Sequence, residues 1–227
     1  MTTPLPDEPA AGRALVPVLH LVTTDDVVMR ADFLTTARAL MQRGGPRLAL
    51  HLRAPRLDAR TVHDLAVLLA DAQESTAAWL VVHERVDVAV ASGARGVQLT
   101  QASLGVGQAR AIAPNIAIGA SAHTLDDVRA AARAAATWIV LDGVRVVRDD
   151  AEHPADAGPS LLARAARVTR IPIIALGGVL PQDVAALRAA GAHGVAAIRG
   201  VWDALNAVTA AGEYLSAHDA GGATRVA

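Results

Sequence analysis

Residues 171–200 read IPIIALGGVLPQDVAALRAAGAHGVAAIRG. Two apolar runs, at residues 171–176 and 195–198, flank an amphipathic segment at residues 181–190. Apolar runs of strand length on either side of a helical pattern predict a strand, a helix and a second strand, which is one βαβ unit. The two strands of such a unit run parallel, because the helix carries the chain back to the edge at which the first strand began.

The turns that end these two strands have the composition of a phosphate site. Gly177 and Gly178 follow the first strand, and Ile198, Arg199 and Gly200 close the second. Glycines after parallel strands leave backbone N–H groups open to an anion, and the next helix adds the positive end of its dipole. In a barrel of eight strands and eight helices, the loops after strands seven and eight often bind a phosphate. The same glycines are also compatible with tight turns that bind nothing.

The rest of the chain repeats this alternation. We count eight apolar runs and eight helical patterns, which predicts an α/β fold consisting of a single (β/α)8 TIM barrel. The barrel is expected to span residues 16–215, after a loose tail at residues 1–15 and before a disordered tail at residues 216–227. One helix at residues 201–215 is expected to close it. Residues 144–158 are polar and long for a connection between strand and helix, which favours a mobile active-site segment.

Composition excludes several kinds of chemistry. The 227 residues carry a formal net charge of −1 and no basic block, so nucleic acid is not an expected partner. The chain contains neither cysteine nor lysine, which rules out a thiolate nucleophile, a thiolate metal site and a Schiff base. No apolar run reaches the roughly 18–20 residues that span a membrane. We therefore expect a cytoplasmic protein with no membrane partner.

The ends of the predicted strands gather the residues that could carry chemistry, since all eight strands open at one mouth. His123 follows the fifth strand, and an imidazole accepts and returns protons near neutral pH; the alternative is a solvated loop histidine. Arg53 follows the inward face of the second strand, next to His51 on the same face. A guanidinium there needs an anion, which is either a ligand carboxylate or phosphate or an internal partner such as Glu84 or Asp142.

Three further polar residues share this mouth as candidate substrate-binding residues: Gln98, Ser121 and Asp142. Asp142 could orient His123, hold a ligand amine, or only cap a turn. No metal site is predicted, because His51, His83 and His123 do not show the H-x-H or H-x-x-x-H spacing of metal ligands.

The order of these motifs resembles the thiamine phosphate synthase superfamily, which has a synthase branch and a thiazole tautomerase branch. The matching segments are LHLRAP at 50–55, VVHERVDVAVASGARGVQLTQASL at 81–104, IGASAHTLDDV at 118–128, PIIALGGV at 172–179 and GVAAIRG at 194–200. The resemblance implies a TIM barrel that holds a small-molecule thiazole phosphate at Gly177, Gly178, Ile198 and Arg199. Members of the superfamily are often dimers, so a homodimer is compatible with it.

The chain departs from the synthase branch where that branch binds magnesium and pyrophosphate. Residues 53–55 read Arg-Ala-Pro in place of Arg-Glu-Lys, and His83-Glu84 stand in place of Asn-Asp. Residues 98–103 lack the histidine, glycine and aspartate of the pattern H-x-G-Q-x-D. A pyrophosphate leaving group without these groups has little charge stabilisation.

The similarity to the tautomerase branch is greater, in three short segments: RVDVA at 85–89, VQL at 97–99 and SAHTL at 121–125. It implies that His123 is the general acid–base that aromatises a thiazole carboxylate phosphate, with Arg53 and Gln98 lining the thiazole. No cofactor is needed for this reaction.

Three functions therefore stay open. The leading one is a metal-independent thiazole tautomerase. The first alternative is a divergent thiamine phosphate synthase, which joins a pyrimidine pyrophosphate to the thiazole phosphate with Mg²⁺. The second alternative is a barrel that binds a phosphate ligand without catalysis.

Overall fold

The computed structural model describes residues 16–144 and 158–221, and these residues form a closed barrel. Parallel strands pair in the order of the sequence, and the last pairs with the first. The strands are β1 (Leu19–Val22), β2 (Leu48–Leu52), β3 (Trp79–His83), β4 (Gly96–Leu99), β5 (Ala117–Ala122), β6 (Trp138–Leu141), β7 (Ile173–Ala175) and β8 (Gly194–Ala197). The predicted single (β/α)8 TIM barrel is confirmed.

Helices surround the barrel and connect successive strands. They are α1 (Asp25–Val28), α2 (Phe33–Gly44), α3 (Ala59–Thr76), α4 (Val86–Ser92), α5 (Val106–Ile112), α6 (Leu125–Arg133), α7 (Gly158–Val168), α8 (Val184–Ala189), α9 (Arg199–Trp202) and α10 (Ala207–Ala220). Single 3-10 turns precede β2 (Gly45–Arg47) and α8 (Pro181–Asp183). Within the described residues, none of these helices is long and apolar enough to cross a lipid bilayer.

Side chains alternate along each strand between the helices and the barrel interior. In β2, Leu48, Leu50 and Leu52 pack outward into the core formed with the helices, whereas Ala49 and His51 face inward. The inward position predicted for His51 is therefore confirmed. The apolar part of the interior consists of Val16, Val22, Ala49, Trp79, Val81, Trp138, Val140, Ile174 and Ala196.

Trp138 is the largest of the fully buried side chains and occupies the interior of the barrel. Its indole lies over Gly119 of β5, where an added Cβ would come within 2.2 Å of the Cε2 atom of Trp138. The indole N–H donates a hydrogen bond of 2.8 Å to Oε1 of Gln98, so the one polar atom of this large side chain is satisfied. The indole of Trp138 therefore takes up a large part of the interior, and a neighbouring strand makes room for it with a glycine.

The chain after β8 differs from the single helix predicted at residues 201–215. It forms α9 and α10, because the side chain of Asn206 accepts a hydrogen bond of 2.9 Å from the backbone N–H of Thr209 and so begins a new helix. The guanidinium of Arg30 pairs with the carboxylate of Asp203 at 2.7 Å and holds the connection between the two helices.

The predicted end of the barrel at residue 215 and the start of a disordered tail at residue 216 are both too early, since α10 continues to Ala220. The last turns are held by Arg47, whose guanidinium pairs with the carboxylate of Asp219 at 2.7 Å and donates to the carbonyl of Leu215. These contacts come from a residue far away in sequence, so the local pattern could not indicate them.

Two further predictions fall largely outside the described residues. The loose tail at residues 1–15 does so completely, as does the end of the chain at residues 222–227. Residues 145–157 also lie outside the described residues, and they make up most of the polar connection predicted to be a mobile segment.

Replacing Gly119 by alanine tests the role of Trp138. The added methyl group overlaps both Trp138 and Gln98, and overpacking of this kind costs about 1–3 kcal/mol or more. We expect Gly119→Ala to lower the free energy of unfolding by at least about 2 kcal/mol in urea denaturation. Gly107→Ala in α5 is the matched control, because nothing lies near its added Cβ and alanine favours a helix. Equal stability of the two variants would contradict this packing.

Candidate active site

A cleft of about 340 Å³ opens at the carboxyl ends of β6, β7 and β8. Its lining includes the four predicted phosphate-binding residues, which are Gly177, Gly178, Ile198 and Arg199, together with Asp142. Gly177 and Gly178 have φ angles of +130° and +64°, a region that side chains rarely adopt, so both positions favour glycine. The structure therefore brings the two terminal turns and one carboxylate around a single cleft.

His123 lies beside this cleft and is linked to it through Asp142. Its Nε2 atom is 3.8 Å from Oδ2 of Asp142, which is within ion-pair range but too long for a hydrogen bond. The side chains are 56% and 44% exposed, so ligand and solvent can reach both. His123 does not itself line the cleft. The pair therefore consists of an accessible imidazole and a carboxylate that faces the two glycine turns.

The backbone of His123 is held by Asp127 in the first turn of α6. Oδ2 of Asp127 accepts hydrogen bonds from the N–H groups of His123 and Thr124 at 3.0 and 2.9 Å. The hydroxyl of Thr124 in return accepts the N–H of Asp127 at 3.1 Å, which completes a capping box. Burial raises the pKa of Asp127, but these hydrogen bonds outweigh it and hold the pKa below its usual value. We did not predict this role from the sequence, although the T-x-x-D spacing is its signal.

Gln98 and Ser121 lie just below the mouth in one hydrogen-bonded line. Nε2 of Gln98 donates to Oγ of Ser121 at 3.0 Å, while Oε1 of Gln98 accepts the indole N–H of Trp138. Gln98 is therefore fixed and buried. The hydroxyl oxygen of Ser121 accepts a hydrogen bond from Gln98, so the hydroxyl proton of Ser121 points away from Gln98. Ser121 is partly buried and lies nearer the mouth than Gln98 and Trp138.

Arg53 lies at a second, smaller cleft of about 150 Å³, at the ends of β2 and β3. Its backbone is fixed by Thr23, whose hydroxyl accepts from the N–H of Arg53 at 2.8 Å and donates to its carbonyl at 2.9 Å. Among residues 16–144 and 158–221, the guanidinium forms no ion pair with Glu84 or Asp142, so that alternative is not supported there. Arg53 and Asp142 line different clefts of the same mouth.

Glu84 shares the cleft of Arg53 and has an unusual backbone. Its φ angle is +65°, which is uncommon for a residue with a side chain. Its N–H donates to the carbonyl of Gln98 at 2.9 Å, and its carboxylate accepts the hydroxyl of Thr100 at 2.7 Å. These two hydrogen bonds hold the backbone of Glu84 in its uncommon conformation. Strained residues held in this way are common at functional sites.

Three histidines form a chain of hydrogen bonds through the barrel, which the sequence did not lead us to expect. Nδ1 of His20 is 2.7 Å from Nε2 of His51, and Nδ1 of His51 is 2.9 Å from Nε2 of His83. At the lower end, Nε2 of His20 is 3.0 Å from the carbonyl of Pro17. Burial lowers the pKa of His20 and His83 to about 3, and burial with the neighbouring imidazoles lowers that of His51 well below its usual value. The chain is therefore neutral.

These features define a class: a barrel with a polar, anion-compatible mouth of small clefts. Comparison with known proteins specifies it further. Residues 19–201 match the family model described as thiamine monophosphate synthase. The thiamine-phosphate synthase of Methanoculleus marisnigri is 33% identical over 181 residues, which are 79% of this chain and 85% of that protein. The thiamine-phosphate synthase of Salinispora arenicola is 32% identical over 201 residues, or 88% and 96% of the two chains.

A solved structure agrees with these sequence matches. The thiamine phosphate pyrophosphorylase from Pyrococcus furiosus superposes with a TM-score of 0.76 at 25% identity, covering 90% of this chain and 96% of that one. The chain belongs to the thiamine monophosphate synthase family. The resemblance drawn from the sequence is confirmed at the level of the superfamily. The names of these relatives favour the synthase over the tautomerase.

The neutral histidines predict how stability depends on pH. Their pKa values are depressed in the folded protein and near 6.5 in the unfolded chain, so between about pH 3 and 6.5 the unfolded chain binds more protons. The free energy of unfolding should fall on acidification below about pH 6.5, by about 1 kcal/mol per pH unit for each histidine. Urea denaturation between pH 7.5 and 5 measures this slope, above the range in which Asp127 titrates.

His20→Gln should remove one histidine's share of that slope. The matched control is His63→Gln in α3, which removes a histidine at the surface, beside Asp64 and outside the histidine chain. A wild-type protein whose stability is flat from pH 7 to 5 would contradict the neutral chain.

Removing the carboxylate of Asp127 should loosen the start of α6. Asp127→Ala deletes the bonds to His123 and Thr124, and loss of a helix cap costs about 1 kcal/mol. Asp126→Ala is the control, since that carboxylate is 89% exposed and only pairs with Arg129 at the surface. We expect chemical denaturation to show a clear loss for the first variant and almost none for the second; the reverse order would refute the capping role.

Proposed function

We propose that the protein is an enzyme of thiamine biosynthesis that binds a thiazole phosphate and transfers a proton on it, as a metal-independent thiazole tautomerase. The observation that carries this proposal is the position of Asp142. Its carboxylate lines the cleft of the two glycine turns and lies 3.8 Å from the imidazole of His123. A phosphate in that cleft would place the attached ring within reach of His123.

The phosphate is assigned to the turns at Gly178 and Arg199. Backbone N–H groups of such turns take an anion without a side chain, and the guanidinium of Arg199 adds charge. The 340 Å³ cleft is at the lower end of the range of small-ligand sites. No basic cluster is required, which suits a chain with a net charge of −1.

Proton transfer is assigned to His123. The reaction needs a proton taken from one ring position and returned at another, and a single accessible imidazole can do both. The carboxylate of Asp142 stabilises the imidazolium that forms between the two transfers. Asp127 keeps the backbone of His123 in place. Positioned proton transfer of this kind contributes roughly 10²–10⁴-fold to the rate.

The remaining predicted residues are assigned to the thiazole. The hydroxyl proton of Ser121, directed away from Gln98, is the donor nearest the mouth along that line. Gln98 acts through Ser121, because its own amide is bonded to Trp138 and Ser121. Arg53 offers an unpaired cation, within the described part of the chain, for the ring carboxylate.

The residues present fit the magnesium of a synthase poorly. Within residues 16–144 and 158–221, no three His, Cys, Asp or Glu side chains gather in a way that could hold a metal ion. Glu84 is the carboxylate at the end of β3, and it already accepts the hydroxyl of Thr100. The chain also has no lysine to stabilise a departing pyrophosphate.

A divergent thiamine phosphate synthase is the second candidate, because the relatives at 32–33% identity carry that name. It requires the pyrimidine pyrophosphate to be bound without the lysine and aspartates of the synthase pattern, at whose positions this chain has Pro55, Glu84 and Ser103. A barrel that binds thiazole phosphate without catalysis is the third candidate.

Turnover assays separate the candidates. We expect the wild-type protein to aromatise the thiazole carboxylate phosphate tautomer equally well with EDTA or with Mg²⁺. His123→Gln should lower kcat by roughly 100-fold with little change in KM, because it removes proton transfer and leaves the phosphate cleft intact. His63→Gln, on the surface of α3, is the control.

The other outcomes are equally specific. Magnesium-dependent formation of thiamine phosphate from pyrimidine pyrophosphate and thiazole phosphate would establish the synthase. A rise in Tm with thiazole phosphate, without turnover in either assay, would establish the binding protein. Equal kcat for wild type and His123→Gln would remove His123 from the mechanism.

A further inference from the structure

One buried tyrosine is bonded to the turn that follows β7. Tyr214 is the only tyrosine of the chain, lies in α10 and is 1% exposed. Its hydroxyl donates a hydrogen bond of 2.7 Å to the carbonyl of Val179, the residue that follows Gly177 and Gly178. A side chain from a helix outside the barrel therefore holds the backbone of this glycine turn.

The same hydroxyl lies against Gly200 in the turn that follows β8. A Cβ added to Gly200 would overlap the hydroxyl oxygen of Tyr214, and its next neighbours would be Cζ and Cε2 of the same ring at 3.5 and 3.9 Å. Gly200 belongs to α9 and has no positive φ angle, so its backbone conformation does not require glycine. Glycine is required there because the hydroxyl occupies the space of a side chain.

The phenol of Tyr214 keeps its proton near neutral pH. Burial, together with the charges of Asp183 and Glu213, raises the pKa of Tyr214 to about 12. The bond to the carbonyl of Val179 needs that proton, because a carbonyl can only accept. The contact between α10 and the turn after β7 is therefore present throughout the neutral pH range.

We infer that Tyr214 is a positioning residue of the phosphate cleft, whose hydroxyl sets the distance between the turn after β7 and the turn after β8. Gly177, Gly178, Val179 and Gly200 all line this cleft of about 340 Å³, whereas Tyr214 does not, so it acts through their backbone. Backbone N–H groups of two turns can bind one anion only at a fixed separation, because hydrogen bonds weaken steeply with length and angle. The inference rests on the proposed function in one respect, which is that these turns bind a phosphate.

The first test compares thiazole phosphate with the same thiazole alcohol without its phosphate, using calorimetric titration of the full chain. Tyr214→Phe should weaken binding of the phosphate by roughly three- to tenfold, the net worth of about one hydrogen bond, and should leave binding of the alcohol unchanged. Thr137→Val is the matched control. It removes a hydroxyl that accepts the N–H of Ile118 at 3.0 Å near the amino ends of β5 and β6, and should keep both affinities. Equal affinity of wild type and folded Tyr214→Phe for the phosphate would overturn the inference.

A pair of substitutions tests the contact with Gly200. Gly200→Ala directs its methyl group at the hydroxyl of Tyr214, so overpacking should displace the turn and weaken binding of thiazole phosphate by roughly tenfold. In Tyr214→Phe the nearest ring atom is Cζ at 3.5 Å, an ordinary contact, so adding Gly200→Ala there should change the affinity by less than about twofold. Additive losses would show that the hydroxyl does not separate the two turns.

The single tyrosine also provides a spectroscopic signal that does not depend on turnover. With ¹³C at Cζ of tyrosine, the full chain should show one resonance that shifts on saturation with thiazole phosphate. An unchanged resonance would contradict the positioning role, and this measurement on wild type decides the matter if Tyr214→Phe does not fold.

Failure of the proposed function gives a different result. A protein that binds thiazole phosphate through Tyr214 but turns over neither substrate would support the positioning role and refute catalysis. A protein that binds no thiazole phosphate would refute both the proposed function and the positioning of a phosphate. Urea denaturation of the Gly200→Ala and Tyr214→Phe variants, singly and combined, would then still show whether the hydroxyl separates the turns.

Discussion

The indole of Trp138 is the contact on which both the barrel and its mouth depend. It fills the interior over Gly119, with ring centroids 6.0 and 6.4 Å from those of His20 and His51. Its N–H fixes Gln98, and Gln98 fixes Ser121 at the mouth. In a chain with 2% aromatic residues, one side chain therefore both packs the interior and orients the polar groups above it. A change at Trp138 would therefore alter both the packing of the barrel interior and the positions of Gln98 and Ser121.

Much of this architecture could be predicted from local pattern. Alternating apolar runs and helical spacing predicted the closed barrel, because burial on two faces leaves a clear signature in each strand. The apolar runs at residues 171–176 and 195–198 contain nearly all of strands β7 and β8, and the helical pattern between them contains α8. The glycine turns at Gly177 and Gly178 were placed at the mouth for the same reason, since parallel strands open at one end.

Other features depend on contacts between distant residues, which local pattern does not contain. The end of α10 is set by Arg47 and Asp219, more than 170 positions apart in the sequence. His20 was not singled out, because a lone inward histidine has no signature until its partner His51 is placed beside it. The T-x-x-D spacing indicates that Asp127 caps α6, but it does not indicate that the same carboxylate also fixes the backbone of His123.

Family membership and the side chains of the candidate site give evidence on function from different parts of the molecule. Family membership rests on similarity along the whole barrel, most of which maintains the fold. The chemistry rests on a few side chains at strand ends, and there the chain has Pro55, Glu84 and Ser103 where the synthase pattern has lysine and aspartate. A shared scaffold is compatible with different reactions, since function is carried by the site.

The histidine chain also changes what the floor of this barrel does. Residues at that end of a TIM barrel usually matter only for stability, which leaves them free to vary as long as the protein folds. Here Pro17 and His20 lie near the floor, and hydrogen bonds connect them through His51 to His83 at the opposite rim. Because the carbonyl of Pro17 can only accept a hydrogen bond, it fixes which ring nitrogen of His20 carries the proton, and through His51 it fixes the same for His83; a substitution at the floor can therefore change the tautomer of a histidine at the rim.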